Sequence, residues 1–534
     1  MNQLTGTVGN SCLVKQSVNG SCSIVYKSKL MKRISVFLVF AFFLLAGQVP
    51  AKATPVRDNK AGVYTSHFEN VLGTSLQIKV KTHSEKQASA AEAAALHEIE
   101  RLSAIVSAYD TRSEFSRWMQ TSGKPIAVSQ ELFEVLSLFD QWRSKTTGAL
   151  DASAQVISKL WKEAAAKQTL PSNEMIRQAV QAVRTSHWQL DAARQTATHT
   201  SNAPLVLNSF AKSYIIQHAT AAAMGVKEVE AVVVNIGGDI VVDGDLQETI
   251  RISNPKADAE NDAPLQTLLL NNRAVATSGN YRRGEYINGQ WYSHIVDPRT
   301  GMPAGEVISA TVVSPNATDA GALATAFNVL TPDESAALAA TIPGTEFLLV
   351  TKTGQQIKSK GWDALTVPEA IPINSKPAAN QWDDNFELVI NIELAQLPGF
   401  ARRPFAAFWV VDEDNKPIRT IAVWYNKDRW LHELRAWYST NKANFTGDAG
   451  SMSTISSATR SAGKYALKWD GKDDKGNYVK PGKYTINIEV VREHGTYQLM
   501  SGEINCAKKA QQVSLTGNAE VAGASLEYRK KTVN

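Results

Sequence analysis

Cysteine is almost missing from this chain, and its placement excludes two kinds of chemistry. Of three cysteines, Cys12 and Cys22 lie close to the amino terminus and Cys506 stands alone far downstream. With the leader removed at the site argued below, neither an internal disulfide nor a cysteine-based zinc cluster can form. Histidine is sparse too: nine residues, none at H-x-x-x-H or similar ligand spacing. An excess of positive charge is also lacking. Six of the 56 basic side chains fall within residues 1–53, which hold no acidic one, so the remainder sets 50 basic against 51 acidic groups. A polynucleotide partner needs a basic surface against its phosphates, so no nucleic acid is expected here. What is present is ordinary globular composition, 43% hydrophobic and 20% charged over 534 residues, which excludes a wholly disordered or collagen-like chain.

Met31-Lys32-Arg33 opens a positive segment, Ile34 to Gly47 is an almost unbroken apolar run, and Ala51-Lys52-Ala53 supplies small residues at −3 and −1 of a cleavage site. The run spans 14 residues, short of the roughly 20 that cross a bilayer as a helix. These features predict a signal peptide ending near Ala53 and a periplasmic protein. Gln48 stands where a lipobox would need its cysteine, so lipidation is not expected.

The mature chain divides into two folded regions. Residues 62–366 mix strand and helix patterns. Leu76, Ile78 and Val80 alternate as in a strand, Ser84, Ser129 and Ser172 are placed to cap helices, and Val232–Val234 is a buried strand leading into Asn235-Ile236-Gly237-Gly238-Asp239. Residues 367–382 carry Pro368, Pro372 and Pro377 and read as a linker. From 383 to 505 the alternation of Phe386, Leu388, Ile390 and Ile392, and later of Tyr484, Ile486 and Ile488, predicts an antiparallel sandwich. Residues 506–534 are expected as a carboxy-terminal tail, and 1–53 as leader.

The densest chemistry lies between Ala274 and Gly301. Ser293-His294-Ile295-Val296-Asp297-Pro298 could supply a base and its orienting carboxylate, or a turn in which Asp297 binds its own backbone while His294 packs. Six short blocks, in order, resemble the FAD:protein FMN transferase family, known as the ApbE type. They are Leu72-Gly73-Thr74, Ser107 to Glu114, Gly148-Ala149-Leu150-Asp151, Leu207 to Tyr214, Asn235 to Asp239, and the stretch from Ala274 to Gly301 continued by Ala322 to Ala326. The resemblance implies an α+β flavin transferase domain of mixed sheets with packed helices, followed here by an all-β, immunoglobulin-like sandwich that resembles a periplasmic domain of uncharacterised function. It implies FAD as substrate, Mg²⁺ as cofactor, and transfer of FMN to a Thr or Ser of an acceptor protein with release of AMP, the acceptor belonging to a redox complex of the inner membrane.

By the same resemblance, Leu72, Tyr109, Ala149, Leu150, Asp151, Lys212, Gly237, Gly238 and Ser278 bind the dinucleotide, with Asp151 equally suited to capping a helix. His294 and Asp297 serve catalysis, and Ser209, Asp319 and Thr325 hold the metal. Three positions depart from the family pattern. Val206 replaces an acidic residue, Ser213 replaces a glycine, and Gly321 stands where an aspartate usually precedes Thr325 by one turn. Asp319 reaches an ion beside Thr325 only if the helix starts after it and the loop bends back. The alternative is a diverged, non-catalytic flavin-binding or scaffolding protein.

Overall fold

The computed structural model describes residues 61–367 and 381–531, apart from 397–402, 426–427, 446–455, 458, 461, 493–494 and 508. The expected signal peptide and nearly all of the expected linker lie outside the described residues.

Eight strands build the centre of the first domain: Gly62–Val71, Thr74–Thr82, Val229–Ile236, Asp239–Gly244, Arg273–Gly279, Val307–Ser314, Glu346–Thr351 and Gln356–Lys358. They pair antiparallel throughout, and their spatial order follows their order along the chain. Alternation sends successive side chains to opposite faces: Val232 and Val234 enter the main core, while Val233 enters a smaller one. Helices Glu85–Val106, Ala211–Met224 and Ala317–Phe327 contribute to the main core. The hairpin of Glu248–Ile252 and Gln266–Leu270, with Trp362, forms the smaller core.

The helices begin where the polar caps stand. Ser84, Ser129 and Ser172 accept hydrogen bonds from the backbone amides of Gln87, Leu132 and Met175, satisfying amides that have no partner within the helix. Glu85–Val106 buries Ala88, Ala91, Ala95, Ile99, Leu102 and Val106, a stripe at helical spacing whose alanines permit close packing.

The second domain has two facing sheets. One orders Gly463–Trp469, Phe386–Leu394, Val521–Lys530 and Gln511–Leu515; the other orders Ser456–Ser457, Pro417–Trp424, Phe405–Val411, Gly482–Val491 and Tyr497–Cys506. Leu388, Ile390 and Leu526 from the first meet Phe408, Ile486 and Ile504 from the second in one core. The expected tail is therefore corrected. Residues 511–530 supply two strands, and Val521–Lys530 pairs along Phe386–Leu394 in the middle of its sheet. Only Val521, Leu526 and Tyr528 of that strand are buried, among small and charged residues, which blurs its period of two. Cys506 is buried, and burial pushes its thiol up to about 12, so it packs as an inert apolar residue.

Trp424, Tyr425 and Trp437 are core residues, while Tyr438 is 36% exposed. Asp473 accepts from the amides of Lys475 and Asn477 in a turn. Among the described residues no helix is long and apolar enough to cross a membrane.

The two domains are joined through the loop 253–265 of the Glu248–Ile252 hairpin. Asn261 exchanges hydrogen bonds with the backbone of Lys468, at 2.8 Å each way, and the Glu260 amide donates to the Ala466 carbonyl at 2.8 Å. Gly463–Trp469 is an edge strand, so this loop occupies polar backbone that would otherwise be open to pairing. Lys468 also meets Asp258, Asp262 and Glu387, and Arg529 meets Asp258 and Glu387.

Candidate active site

A cavity of about 640 Å³ opens beside the central sheet. Strand Arg273–Gly279 supplies Ala276 to Gly279 as one wall, and the turn at Gly237 and Asp239 continues it. Helix Ala211–Met224 brings Lys212 at its first turn, with Asn208 and Ser209 just before it, and helix Ala317–Phe327 brings Gly321 and Thr325. Ala149, Leu150 and Asp151 close one side; Tyr281, Arg282, Arg283 and His294 close another.

Nine expected residues thus converge on one cavity: Ala149, Leu150, Asp151, Ser209, Lys212, Gly237, Ser278, His294 and Thr325. Leu72, Tyr109, Gly238, Asp297 and Asp319 are not in its lining. Tyr109 is 78% exposed, and its hydroxyl accepts from Asn208, which ties it to the rim. Leu72 forms the hairpin turn before Thr74, at φ +50°. Gly238, at φ +92°, donates its amide to Asn235 Oδ1 at 3.0 Å. Gly237 has two reasons to be glycine: φ is +58°, and a Cβ there would lie 2.7 Å from the Thr74 methyl.

His294 is set by a hairpin. Strands Gly284–Ile287 and Gln290–Ser293 pair Gly284 with Ser293, and the next residue returns its amide to the Arg283 carbonyl at 3.2 Å. His294 Nδ1 lies 2.9 Å from that same carbonyl oxygen. A carbonyl only accepts, so Nδ1 carries the proton and Nε2 keeps its lone pair. Crowding by the surrounding walls pushes the imidazole pKa down, the nearby Arg283 charge adds to this, and the carbonyl bond opposes it. The shift favours the neutral ring, with its lone pair on Nε2.

The orienting carboxylate is a correction. Asp297 does not orient His294; the Arg283 carbonyl does. Asp297 is held by Arg299, whose Nε lies 3.0 Å from Oδ1 and whose Nη2 lies 3.0 Å from Oδ2, and its carbonyl accepts from Gly301 at 2.8 Å. Asp151 both lines the cavity and caps. It accepts from Ser153 amide and hydroxyl at 2.8 and 2.6 Å, and Arg143 Nε lies 2.8 Å from its other oxygen.

Asp319 as a metal ligand is also corrected. Helix Ala317–Phe327 starts before it, with Asn316 as cap accepting from the Asp319 amide at 3.1 Å. Six residues of regular helix then separate Asp319 from Thr325, turning the two side chains about 120° apart. Burial pushes the Asp319 carboxyl up, and the opposing charge is Lys145. Thr325 Oγ1 donates to the Ser209 carbonyl at 3.0 Å, so those two oxygens do meet in the cavity. No carboxylate joins them from Gly321, where a Cβ would lie 2.2 Å from Ser213 Oγ. Ser213 thus fills the space beside Gly321, and its hydroxyl donates to Asp239 Oδ2 at 3.0 Å.

Asp239 is the carboxylate beside this group. It is 8% exposed; burial pushes its pKa up, while Lys212, 3.1 Å from Oδ2, and Ser213 draw it back. Mg²⁺ binds through one or two free carboxylates in near-octahedral oxygen geometry. Two neutral oxygens already bonded to each other, and one carboxylate engaged by a lysine, do not fit that ion. Among the described residues no three His, Cys, Asp or Glu side chains converge as a metal site.

Pattern reading passed over Asp239, Arg282 and Arg283 as site residues. All three stood in the motif blocks, but a charged residue beside a glycine turn looks the same whether it faces a cavity or solvent.

Comparison with known proteins agrees with this architecture. The ApbE family model matches residues 72–349, and a family described as "Predicted periplasmic protein" matches residues 387–523. The FAD:protein FMN transferase of Chlamydia muridarum is 26% identical over 310 residues, covering 56% of this chain and 93% of that protein. The enzyme of the same name from Haemophilus influenzae is 29% identical over 315 residues, covering 56% and 87%. The crystal structure of the ApbE protein of Thermotoga maritima aligns with a TM-score of 0.51 at 25% identity, covering 57% of this chain and 100% of that one. With the match spanning just over half of its residues, this chain belongs to the ApbE family.

Proposed function

We propose that this protein is an exported FAD:protein FMN transferase that modifies a Thr or Ser of an acceptor protein. The observation that carries the reading is the neutral His294, its Nδ1–H held by the Arg283 carbonyl, in a cavity that also holds Lys212, Arg282 and Arg283. The acceptor hydroxyl oxygen attacks the FMN phosphorus of bound FAD, His294 Nε2 takes the hydroxyl proton, and the phosphoanhydride bond breaks to release AMP. A new phosphoester joins FMN to the acceptor. Phosphoryl transfer needs positioning and neutralisation of the diphosphate more than covalent help from the enzyme. Arg282 and Arg283 supply positive charge at the mouth, and Lys212 supplies it deeper, tempered by Asp239. The small-residue walls at Gly237, Ala276 and Gly279 let the ligand approach the backbone. Magnesium accompanies FAD in the reaction that the resemblance implies, but the donors at Thr325 and Ser209 do not suit it, so the charge neutralisation is assigned to these side chains.

Export through a signal peptide ending near Ala53 is supported by the basic, apolar and small-residue segments in sequence, and a periplasmic setting by the family of the second domain. The acceptor is then an exported protein, with a redox complex of the inner membrane as its proposed setting.

The test is direct: mature protein, FAD and an acceptor bearing a Thr or Ser, assayed for AMP and for flavin fluorescence that survives denaturing electrophoresis. Absence of AMP at every Mg²⁺ concentration overturns the reading. A second reading, a non-catalytic flavin-binding protein, is favoured by the Ser213–Gly321 arrangement. It expects FAD binding in calorimetry with no turnover, and no consequence of His294→Ala.

A further inference from the structure

Glu260 stands between two arginines from different domains. Its Oε1 lies 3.9 Å from Arg282 Nη1, at the cavity, and its Oε2 accepts from Arg460 Nη2 at 3.2 Å and Nε at 3.3 Å. Arg460 belongs to the second domain, is 24% exposed, and lies 5.2 Å over the Trp424 ring. The backbone beneath Glu260 is fixed as well, through its amide bond to Ala466. Arg282 is the looser partner, 61% exposed and 5.8 Å from the Tyr281 ring. The carboxylate therefore gives most of its charge to Arg460 and leaves the Arg282 guanidinium available to an anion in the cavity.

We propose that the second domain sets the positive charge offered to the bound diphosphate, with Arg460 drawing Glu260 away from Arg282. Arg282 touches the ligand; Glu260 and Arg460 are positioning residues. This rests on the transferase reading and adds a role for the second domain. One carboxylate cannot neutralise two guanidinium groups fully, so removing Arg460 turns Glu260 onto Arg282 and weakens the site for its anionic substrate.

The experiment measures AMP release against FAD concentration at low ionic strength, using the full mature chain. Arg460→Ala is expected to raise KM for FAD about threefold, within the range that partly exposed ion pairs supply, with kcat within about twofold of wild type. Glu260→Gln is expected to leave KM at or below the wild-type value. The double variant Arg460→Ala/Glu260→Gln is expected to return KM to that same value, and Arg460→Lys to rescue the single loss. Asn261→Ala, which loosens the same loop without changing charge, is expected to leave KM within about twofold. A purely structural role would make the double variant no better than Arg460→Ala, and that result overturns the proposal. So does an unchanged KM in Arg460→Ala. If wild type binds FAD but releases no AMP, the transferase reading fails alone, and the same variants are read through the FAD dissociation constant, where the same pattern supports the proposal and its absence overturns it. A wild-type protein that binds no FAD overturns both.

Discussion

At the residue scale, His294 carries the sharpest expectation. Its proton on Nδ1 is committed to the Arg283 carbonyl, and burial holds its pKa below the usual imidazole range. A group with a depressed pKa keeps its neutral form to lower pH, so AMP release should stay level across neutral pH and fall only in more acidic solution. His294→Ala should lower the rate about 10²- to 10⁴-fold, the usual worth of a general base, and abolish that acid limb. A pH–rate profile of both proteins checks it; an unaltered profile in the variant removes His294 from the chemistry. The pair Ser213 and Gly321 gives a second expectation. Gly321→Asp alone drives its Cβ into the Ser213 hydroxyl and should cost about 1–3 kcal/mol by overpacking. Adding Ser213→Gly opens that space and should recover most of the loss in a thermal melt. It should also let Mn²⁺ broaden NMR signals near Thr325, which the starting protein should not show. Equal melting of single and double variants would mean that the two positions do not compete.

Elements show how far pattern reading reached. The capped helices were legible because a serine stands immediately before a helix that carries an apolar stripe, as at Ser84, Ser129 and Ser172. The start of the Ala317–Phe327 helix was not, since Ser314, Asn316, Thr318 and Asp319 are all residues that can cap a helix and the pattern does not choose among them. That single boundary decided that Asp319 leaves the cavity. Asn316→Ala should lower stability by about 0.5–2 kcal/mol, the worth of a lost cap, with a lower unfolding midpoint in denaturant. The strand Val521–Lys530 was missed for a related reason: Ala522, Gly523 and Ala524 dilute its alternation, and its place in the sheet depends on a partner over 120 residues away. Truncation at 505 should expose one edge of the Phe386–Leu394 core strand, the one that Val521–Lys530 covers. The second domain should then lose cooperative unfolding and aggregate, as light scattering during a melt would show. A soluble, cooperative truncated protein would contradict its central place.

For the whole molecule, the question is why two domains of separate cores stay docked. Lys468 is the hub, with Asp258, Asp262 and Glu387 around it and its backbone paired to Asn261. Burial lowers the Lys468 pKa and these acidic neighbours outweigh it, so the net shift is upward. A raised lysine pKa stabilises docking at neutral pH and is lost only as pH climbs through that raised value. Lys468→Ala should therefore weaken docking by about 1–2 kcal/mol, after allowance for partial exposure. One thermal transition should become two, and more so at low salt, where Asp258, Asp262 and Glu387 then share fewer cations and repel. A single unchanged transition in calorimetry would show that the acidic loop is incidental.

Much of the site was readable because local motifs encode local geometry. Gly237 must be glycine for its turn, Ser278 and Gly279 end a strand, and His294 follows a hairpin, so the blocks that carry them converge once the sheet forms. Contacts between distant segments were not readable. That Arg283 rather than Asp297 orients the histidine, that Ser213 occupies the room beside Gly321, and that Glu260 reaches an arginine of the other domain all depend on separations of a few ångströms. By itself the sequence determined two folded regions, the helix caps and the family, because each is written in neighbouring residues or in ordered blocks. Only the tertiary structure decided which charges meet, since an ion pair requires two side chains from remote segments to arrive at one place, and nothing in either segment alone records the other.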